Sequence, residues 1–342
     1  MTFSVPLVDI APYVGHGSAG ERARVAQAMD AACRTVGFVQ VVGHGVADDV
    51  IAGLGAAMDG LFGLPAEVTG RYRTPPEVNR GYAPPKSESL SLSLGLESAT
   101  RMNDFFEAFN VGAAASWYPD RDLPQPEFAE NTWPDLPGFE DAVMAYFTEA
   151  ARVARILTRI FADALGLPAG FFDRFTAPSI DVLRMNNYAL PPGQVDLDGE
   201  LTGMGEHTDY GIVTVLWADP VPGLEILDAG GRWHPAQPAP GALLVNLGDA
   251  LARWTNDEWL STMHRVAAPR VDGVLVPRRS AAYFHDGNVD AVIECLPSCV
   301  RPGRPPAYEP VTVGEHLRAK LAGSRAGQLT GTAQREAARL TR

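Results

Sequence analysis

The chain has 342 residues, 46% of them hydrophobic, enough to bury one large core or two closely packed ones. Its net charge of −13, from 41 acidic against 28 basic residues, disfavours nonspecific binding to nucleic acid or to an anionic membrane, though not to an anionic small molecule held by a local cation. Cys33, Cys295 and Cys299 are too few and too unevenly spaced for a disulfide framework. With no secretory leader and no run of about 18 apolar residues, the expectation is a cytoplasmic protein with a small-molecule partner.

In chain order, "VPLVDI" (5–10) predicts a short strand, and "ERARVAQAMDAACRTVG" (21–37) predicts a helix stopping at Gly37. "FVQVVGHGV" (38–46) reads as a second strand entering a glycine turn, and two or more helices are expected after it. The prolines and glycine of "TPPEVNRGYAPPKSES" (74–89) argue against regular structure there. Residues 138–166 carry apolar residues at three- and four-residue intervals and predict the longest helix. From about 180 the texture changes to short β-like runs between turns: "IDVLRMNNYAL", "IVTVLWA", "LEIL", "GALLVNLG" and "RRSAAYFHD". The expected fold is α+β with a mainly β core, a jelly roll or barrel behind a helical front and one long supporting helix. The regions divide as 1–175, largely helical with a few strands packed on the core; 176–300, the β core; and 301–342, a C-terminal segment with a helix, whose polar end from 324 is expected to be mobile, fraying or forming a marginal surface helix.

Just before "IVTVLWA" stands "GEHTDYG", residues 205–211. In an extended segment residues i and i+2 point to the same side, so His207 and Asp209 can aim a nitrogen and an oxygen at one point. By itself that pair is weak evidence. His264 in "STMHRV" follows after two predicted strands, and two histidines with one carboxylate match the facial triad that holds non-haem Fe(II).

On these residues, and on "VPLVDI", "ACRTVGFVQVVGHGV", "RGYAPPKSES", "NDFFEAFNVG" and "LLVNLGDALARWTND", the chain resembles the isopenicillin-N-synthase-like branch of the Fe(II)/2-oxoglutarate-dependent oxygenases. The resemblance implies a double-stranded β-helix of the cupin-like kind, with His207, Asp209 and His264 as iron ligands. It also matches Arg278 and Ser280 to the R-x-S signature. On one face of a strand the two can grip the distal carboxylate of 2-oxoglutarate through charge-assisted hydrogen bonds. Asn186 and Tyr188 in "RMNNYAL" resemble the N-x-Y segment beside the cosubstrate, with Ala189 where many members carry proline. Arg279, pointing the other way, is expected to be a solvated charge. His44 resembles a turn element, and His16, His234 and His316 lack metal spacing. His285, next to Phe284, is the remaining histidine of interest. Substrate-lining candidates are Arg101, Asn103 and Phe105 with Arg184, Tyr210 and Phe284, a mixture suited to a polar heteroaromatic or amino-acid-like molecule.

The implied reaction uses Fe(II), 2-oxoglutarate and O2, giving succinate and CO2 while a small metabolite is oxidised, by hydroxylation as the default and by desaturation or cyclisation as variants. Two alternatives remain open from sequence. One is an iron oxidase of the same fold that needs no 2-oxoglutarate, its R-x-S pair serving another carboxylate. The other is a noncatalytic ligand-binding module, for which a broken triad would be expected. Oligomeric state is not legible from the chain.

Overall fold

The computed structural model describes residues 3–75, 77–87, 90, 104–189, 202–326 and 331. The first half holds β1 (Leu7–Asp9), α1 (Ala11–Val14), α2 (Ala19–Thr35), β2 (Phe38–Val42), α3 (Asp48–Phe62), α4 (Ala66–Thr69), β3 (Gly81–Ala83), β4 (Glu107–Gly112) and α5 (Phe139–Ala164). Next come β5 (Val182–Asn187), β6 (Thr202–His207), β7 (Val213–Ala218), β8 (Leu224–Leu227), β9 (Trp233–Pro235), β10 (Leu243–Leu247) and α6 (Asp249–Trp254). The chain continues through β11 (His264–Ala267), β12 (Arg270–Val271), β13 (Val274–Leu275), β14 (Arg279–His285), β15 (Val292–Ile293), β16 (Val311–Thr312) and α7 (Val313–Ala326). Among the described residues no single helix is long and apolar enough to cross a membrane.

Helix α2 starts where Ser18 and Glu21 form a reciprocal capping box, and the chain leaves it through Gly37 at φ +69°. A side chain at Gly37 would also strike the Leu260 carbonyl, so glycine is required there twice over. The expected helix at 138–166 is α5, whose buried stripe includes Val143, Phe147, Ala154, Leu157 and Phe161. One expectation fails within 74–89: Gly81–Ala83 forms a strand, because its backbone pairs with β4 at the edge of the large sheet. Tertiary pairing overrides the local proline and glycine signal there.

Eight strands form one sheet in the order β1-β2-β10-β7-β14-β5-β4-β3, and four form a second, β6-β11-β8-β9. With its helical N-terminal layer this is the double-stranded β-helix. Strand alternation assigns the large sheet's two faces. Val213, Val215, Val245, Ala281, Tyr283, Leu183 and Met185 enter the large core with α2, α3 and α5. Their alternate neighbours Thr214, Leu216, Asn246, Ser280, Ala282, Phe284, Val182, Arg184 and Asn186 line a cavity on the opposite face. A smaller apolar cluster, including Phe38, Tyr188, Met204, Leu224, Leu244 and Val266, joins that face to the second sheet. The fold therefore brings polar strand residues to one enclosed space while the other face of the sheet stays apolar.

Candidate active site

The cavity has a volume of about 110 Å³, and the three candidate metal ligands stand in its wall. His207 ends β6 and His264 begins β11, and the two residues are direct partners across that antiparallel pair. Asp209 follows in the loop to β7, and its own backbone carbonyl accepts from Asp249 N at the start of α6. The Nε2 atoms of His207 and His264 lie 3.8 and 3.7 Å from Asp209 Oδ1, and one ligand atom from each of the three residues falls within 4.8 Å of the others.

The outward atoms of all three are occupied. His207 Nδ1 contacts Gly205 O at 2.8 Å and His264 Nδ1 contacts Thr262 O at 3.0 Å; a carbonyl can only accept, so each Nδ1 carries the proton and each Nε2 presents its lone pair inward. Asp209 Oδ2 accepts from the Thr214 hydroxyl and from Asn246 Nδ2 at 2.6 Å, which leaves Oδ1 for the centre. Burial, then the neighbouring His264, holds His207 well below the ordinary imidazole range. A neutral imidazole is the ligating form. Donor set, tautomers and carboxylate orientation thus all fit one divalent metal ion with the opposite face left open.

Arg278 is 2% exposed and lines the same cavity just before β14. Its Nε donates to Val221 O at 3.3 Å, its guanidinium lies 5.2 Å from the Tyr188 ring, and Nη1 meets no acceptor. No carboxylate among the described residues lies within ion-pair distance of it. A buried guanidinium in that state calls for an anionic ligand. Ser280, two residues on, is buried in the same wall, opposite Asn186 across β5. Asn186 Oδ1 accepts from Arg184 Nε at 3.1 Å, and Tyr188 N donates to Arg278 O at 2.8 Å.

Of the substrate candidates, Arg184, Tyr210 and Phe284 line the cavity. Phe284, only partly buried, is the direct partner of Thr214 and so stands beside the Asp209 carboxylate. Phe105 does not reach the cavity wall: it is 3% exposed and packs into the smaller apolar cluster, where its large ring is covered. Arg101 and Asn103 lie outside the described residues. Arg279 corrects the expectation of a solvated charge. It points away from the cavity, but α3 packs over that side and covers it in part. Its guanidinium pairs with Asp219 at 3.1 Å and Asp59 at 2.7 Å and donates to Gly55 O at 2.8 Å, clamping the strand to the helix. His285 turns from the cavity and meets Asp181 at 3.0 Å, and His44 closes a turn by accepting from Val46 N at 3.1 Å.

Sequence reasoning missed Asn246 and Thr214, which orient Asp209, although one polar residue inside the apolar "LLVNL" was a usable sign. It also missed α7. Ser324 was assigned to a fraying tail, yet it is 1% exposed and lines the cavity with Leu317 and Leu321. Lys320 on the same helix is fully buried against Asp249 at 2.8 Å, an ion pair that docks α7 beside the ligand loop. The spacing of 317, 321 and 324 was legible as a helical face, but nothing local said that this face closes a cavity. Residues 327–330 and 332–342 of that tail lie outside the described residues.

Residues 5–136 match the family described as the N-terminal region of non-haem dioxygenases in morphine synthesis, and residues 180–287 match the 2OG-Fe(II) oxygenase superfamily. The chain belongs to the 2-oxoglutarate- and Fe(II)-dependent oxygenases. It is 32% identical to the 2-oxoglutarate-Fe(II) type oxidoreductase hxnY of Emericella nidulans, over 92% of this chain and 88% of that protein. It is also 32% identical to a homoarginine-6-hydroxylase of Oryza sativa subsp. japonica, over 93% and 96% of the two chains. Among solved structures, a full-length Neurospora crassa protein in complex with 2-oxoglutarate and 5-formyluracil superposes with a TM-score of 0.79 at 28% identity, covering 94% of this chain and 96% of that one. The protein is thus an oxidoreductase that uses Fe(II), 2-oxoglutarate and O2 on small molecules.

Proposed function

We propose that His207, Asp209 and His264 hold a single Fe(II), that Arg278 and Ser280 seat the distal carboxylate of 2-oxoglutarate with Asn186 and Tyr188 beside it, and that a small organic substrate is oxidised against Tyr210 and Phe284. The observation that carries the cosubstrate assignment is Arg278 Nη1, buried at the cavity wall without an acceptor. When bound, iron with 2-oxoglutarate and O2 supplies the oxidation of a C–H bond, the cosubstrate leaving as succinate and CO2.

The chain's own residues do the rest. The Gly205 and Thr262 carbonyls keep both imidazoles in one tautomer, and Thr214 and Asn246 stop Asp209 from rotating its second oxygen inward. Phe284 and Leu216 exclude water from the space beside the metal, and which substrate hydrogen is lost depends on which one the walls bring nearest. Hydroxylation is the default outcome. Desaturation or ring closure would follow from the same site with a differently placed substrate.

The mixed polar and aromatic lining supports a polar heteroaromatic or amino-acid-like substrate, and two relatives, a homoarginine hydroxylase and the Neurospora crassa protein bound to 5-formyluracil, span both kinds. Three free cysteines support a reducing, cytoplasmic setting. The test is a metabolite panel assayed with Fe(II) and 2-oxoglutarate, reading succinate against oxidised product. One compound giving both in equal amounts establishes the reading. Substrate oxidation that proceeds without any 2-oxo acid contradicts it.

A further inference from the structure

Taking the cavity as the oxygenase substrate site, we infer that two buried acceptors in its wall, Asp286 just past β14 and Asn110 on β4, recognise nitrogen-borne hydrogen-bond donors of the substrate. The substrate class is then a compound carrying an amide, lactam, amidine, guanidine or amine N–H.

The cavity-facing row of β14 runs Ser280, Ala282, Phe284 and on to Asp286 just past the strand. At about 3.3 Å per residue, Asp286 lies roughly 20 Å along the chain from Ser280. Phe284, beside the metal carboxylate through Thr214, stands between them. Cosubstrate anchor and Asp286 are therefore on opposite sides of the metal level.

The polar groups of the wall differ in hydrogen-bonding sense. Around Ser280 stand donors: Arg278, Arg184 and Asn186, whose Oδ1 is already taken by Arg184, so that its amide N–H groups are what it can offer. Asp286, beyond the Phe284 row, and Asn110, directly opposite Arg184 on β4, accept instead. Asp286 is 4% exposed; its backbone N–H donates to Asp181 Oδ1 at 3.2 Å, while its carboxyl group meets no donor among the described residues. In either protonation state a carboxyl group presents an acceptor oxygen. Burial, then Asp181 and Asp209, pushes its pKa well above the ordinary carboxyl range, consistent with a group lacking its partner. Asn110, 3% exposed, has its amide orientation fixed by a chain of donors. Arg325 can only donate, and its Nη2 gives a hydrogen bond to Asn79 Oδ1 at 2.9 Å; Asn110 Nδ2 donates to the same oxygen at 3.0 Å. Asn110 Oδ1 is left buried in the cavity wall without a donor.

Room for the Asp286 carboxyl group is made by Gly211, where a side chain would collide with Asp286 Oδ1. The residue two positions after Asp209 is thus matched to Asp286. Two buried acceptors without donors, facing one cavity, are costly unless a ligand supplies the hydrogens.

The experiment measures binding to the Fe(II)- and 2-oxoglutarate-loaded protein by calorimetry without oxygen, using matched pairs of N–H compounds and their N-methylated counterparts, thymine against 1,3-dimethylthymine among them. The N–H members should bind, with N-methylation weakening them about tenfold or more. Asp286→Ala should bring the two members of a pair close to parity, and Asn110→Leu should narrow the gap should the first variant fold poorly. Equal binding of N-methylated compounds to the wild type, a panel in which no N–H compound binds, or pair discrimination unchanged in both variants overturns the proposal. 2-Oxoglutarate affinity, measured first, separates this outcome from failure of the cosubstrate assignment.

Discussion

The Arg278 end and the Asp286 end of the cavity are built on the same strand and differ in what completes them. At the first, Arg278, Ser280, Asn186 and Tyr188 all come from β5, β14 and the residues flanking them, rigid elements with paired neighbours on both sides. At the second, strand residues are joined by Tyr210 from a loop and by Leu317, Leu321 and Ser324 from α7. On the proposed reading the labour divides: the sheet fixes what is common to the chemistry, and a separate helix and loop close the space beside it.

The largest effect should come from the metal between the two ends. His207→Ala or His264→Ala should abolish iron retention and turnover with the fold intact by circular dichroism, and Asp209→Glu should fail as well because one methylene moves the carboxylate off the metal. Wild-type turnover in either alanine variant would mean the ligands are misassigned, and the comparison would lose its dividing point. A smaller loss is expected from Asn246→Leu, which frees one oxygen of Asp209; iron affinity read by competition with a chelator should fall about 10–100-fold.

Phe284→Ala sharpens the comparison by touching only the substrate side. Iron and 2-oxoglutarate should bind as before while succinate exceeds oxidised product roughly several-fold, since the C–H bond is no longer held in place. Strong destabilisation of about 3–5 kcal/mol with coupling unchanged would instead make the ring plain core. The smallest effect is a pH dependence seated on α7. Burial holds His316 down to about 3 from an ordinary 6.5. Between those values the unfolded chain binds a proton that the folded one does not. Stability is therefore complete above pH 6.5 and falls as the pH drops below it, by about 2 kcal/mol at pH 5 from this group alone. Urea midpoints at pH 7 and pH 5 should converge in His316→Gln; an identical pH slope would place the acid sensitivity elsewhere.

Much of the first end was legible in the sequence, because its residues sit at fixed short spacings on strands whose period is two. H-x-D, R-x-S and N-x-Y each put two side chains on one face, and the structure gathers Asn186, Tyr188, His207, Asp209, His264, Arg278 and Ser280 around one cavity. The rest of the substrate wall was legible only in part. Phe284 follows from the same period, but Asp286 lies past the strand end and Asn110 is recruited from β4, which precedes β5 with the whole of α5 between them. Arg279 was misread for a related reason: period two gives the face, and only the tertiary packing of α3 shows that the face is covered. Buried Lys320 carried no local sign at all, since its partner Asp249 is far away in sequence.

The most direct test of the account is an anaerobic titration of 2-oxoglutarate into the Fe(II)-loaded wild type and Arg278→Ala, followed by calorimetry. Loss of a buried charge-assisted pair should cost about 2–5 kcal/mol of binding, at least tens-fold in affinity, with iron still retained. Equal affinity in the two proteins would contradict the seating of 2-oxoglutarate at Arg278 and, with it, the assignment of the cavity's two ends.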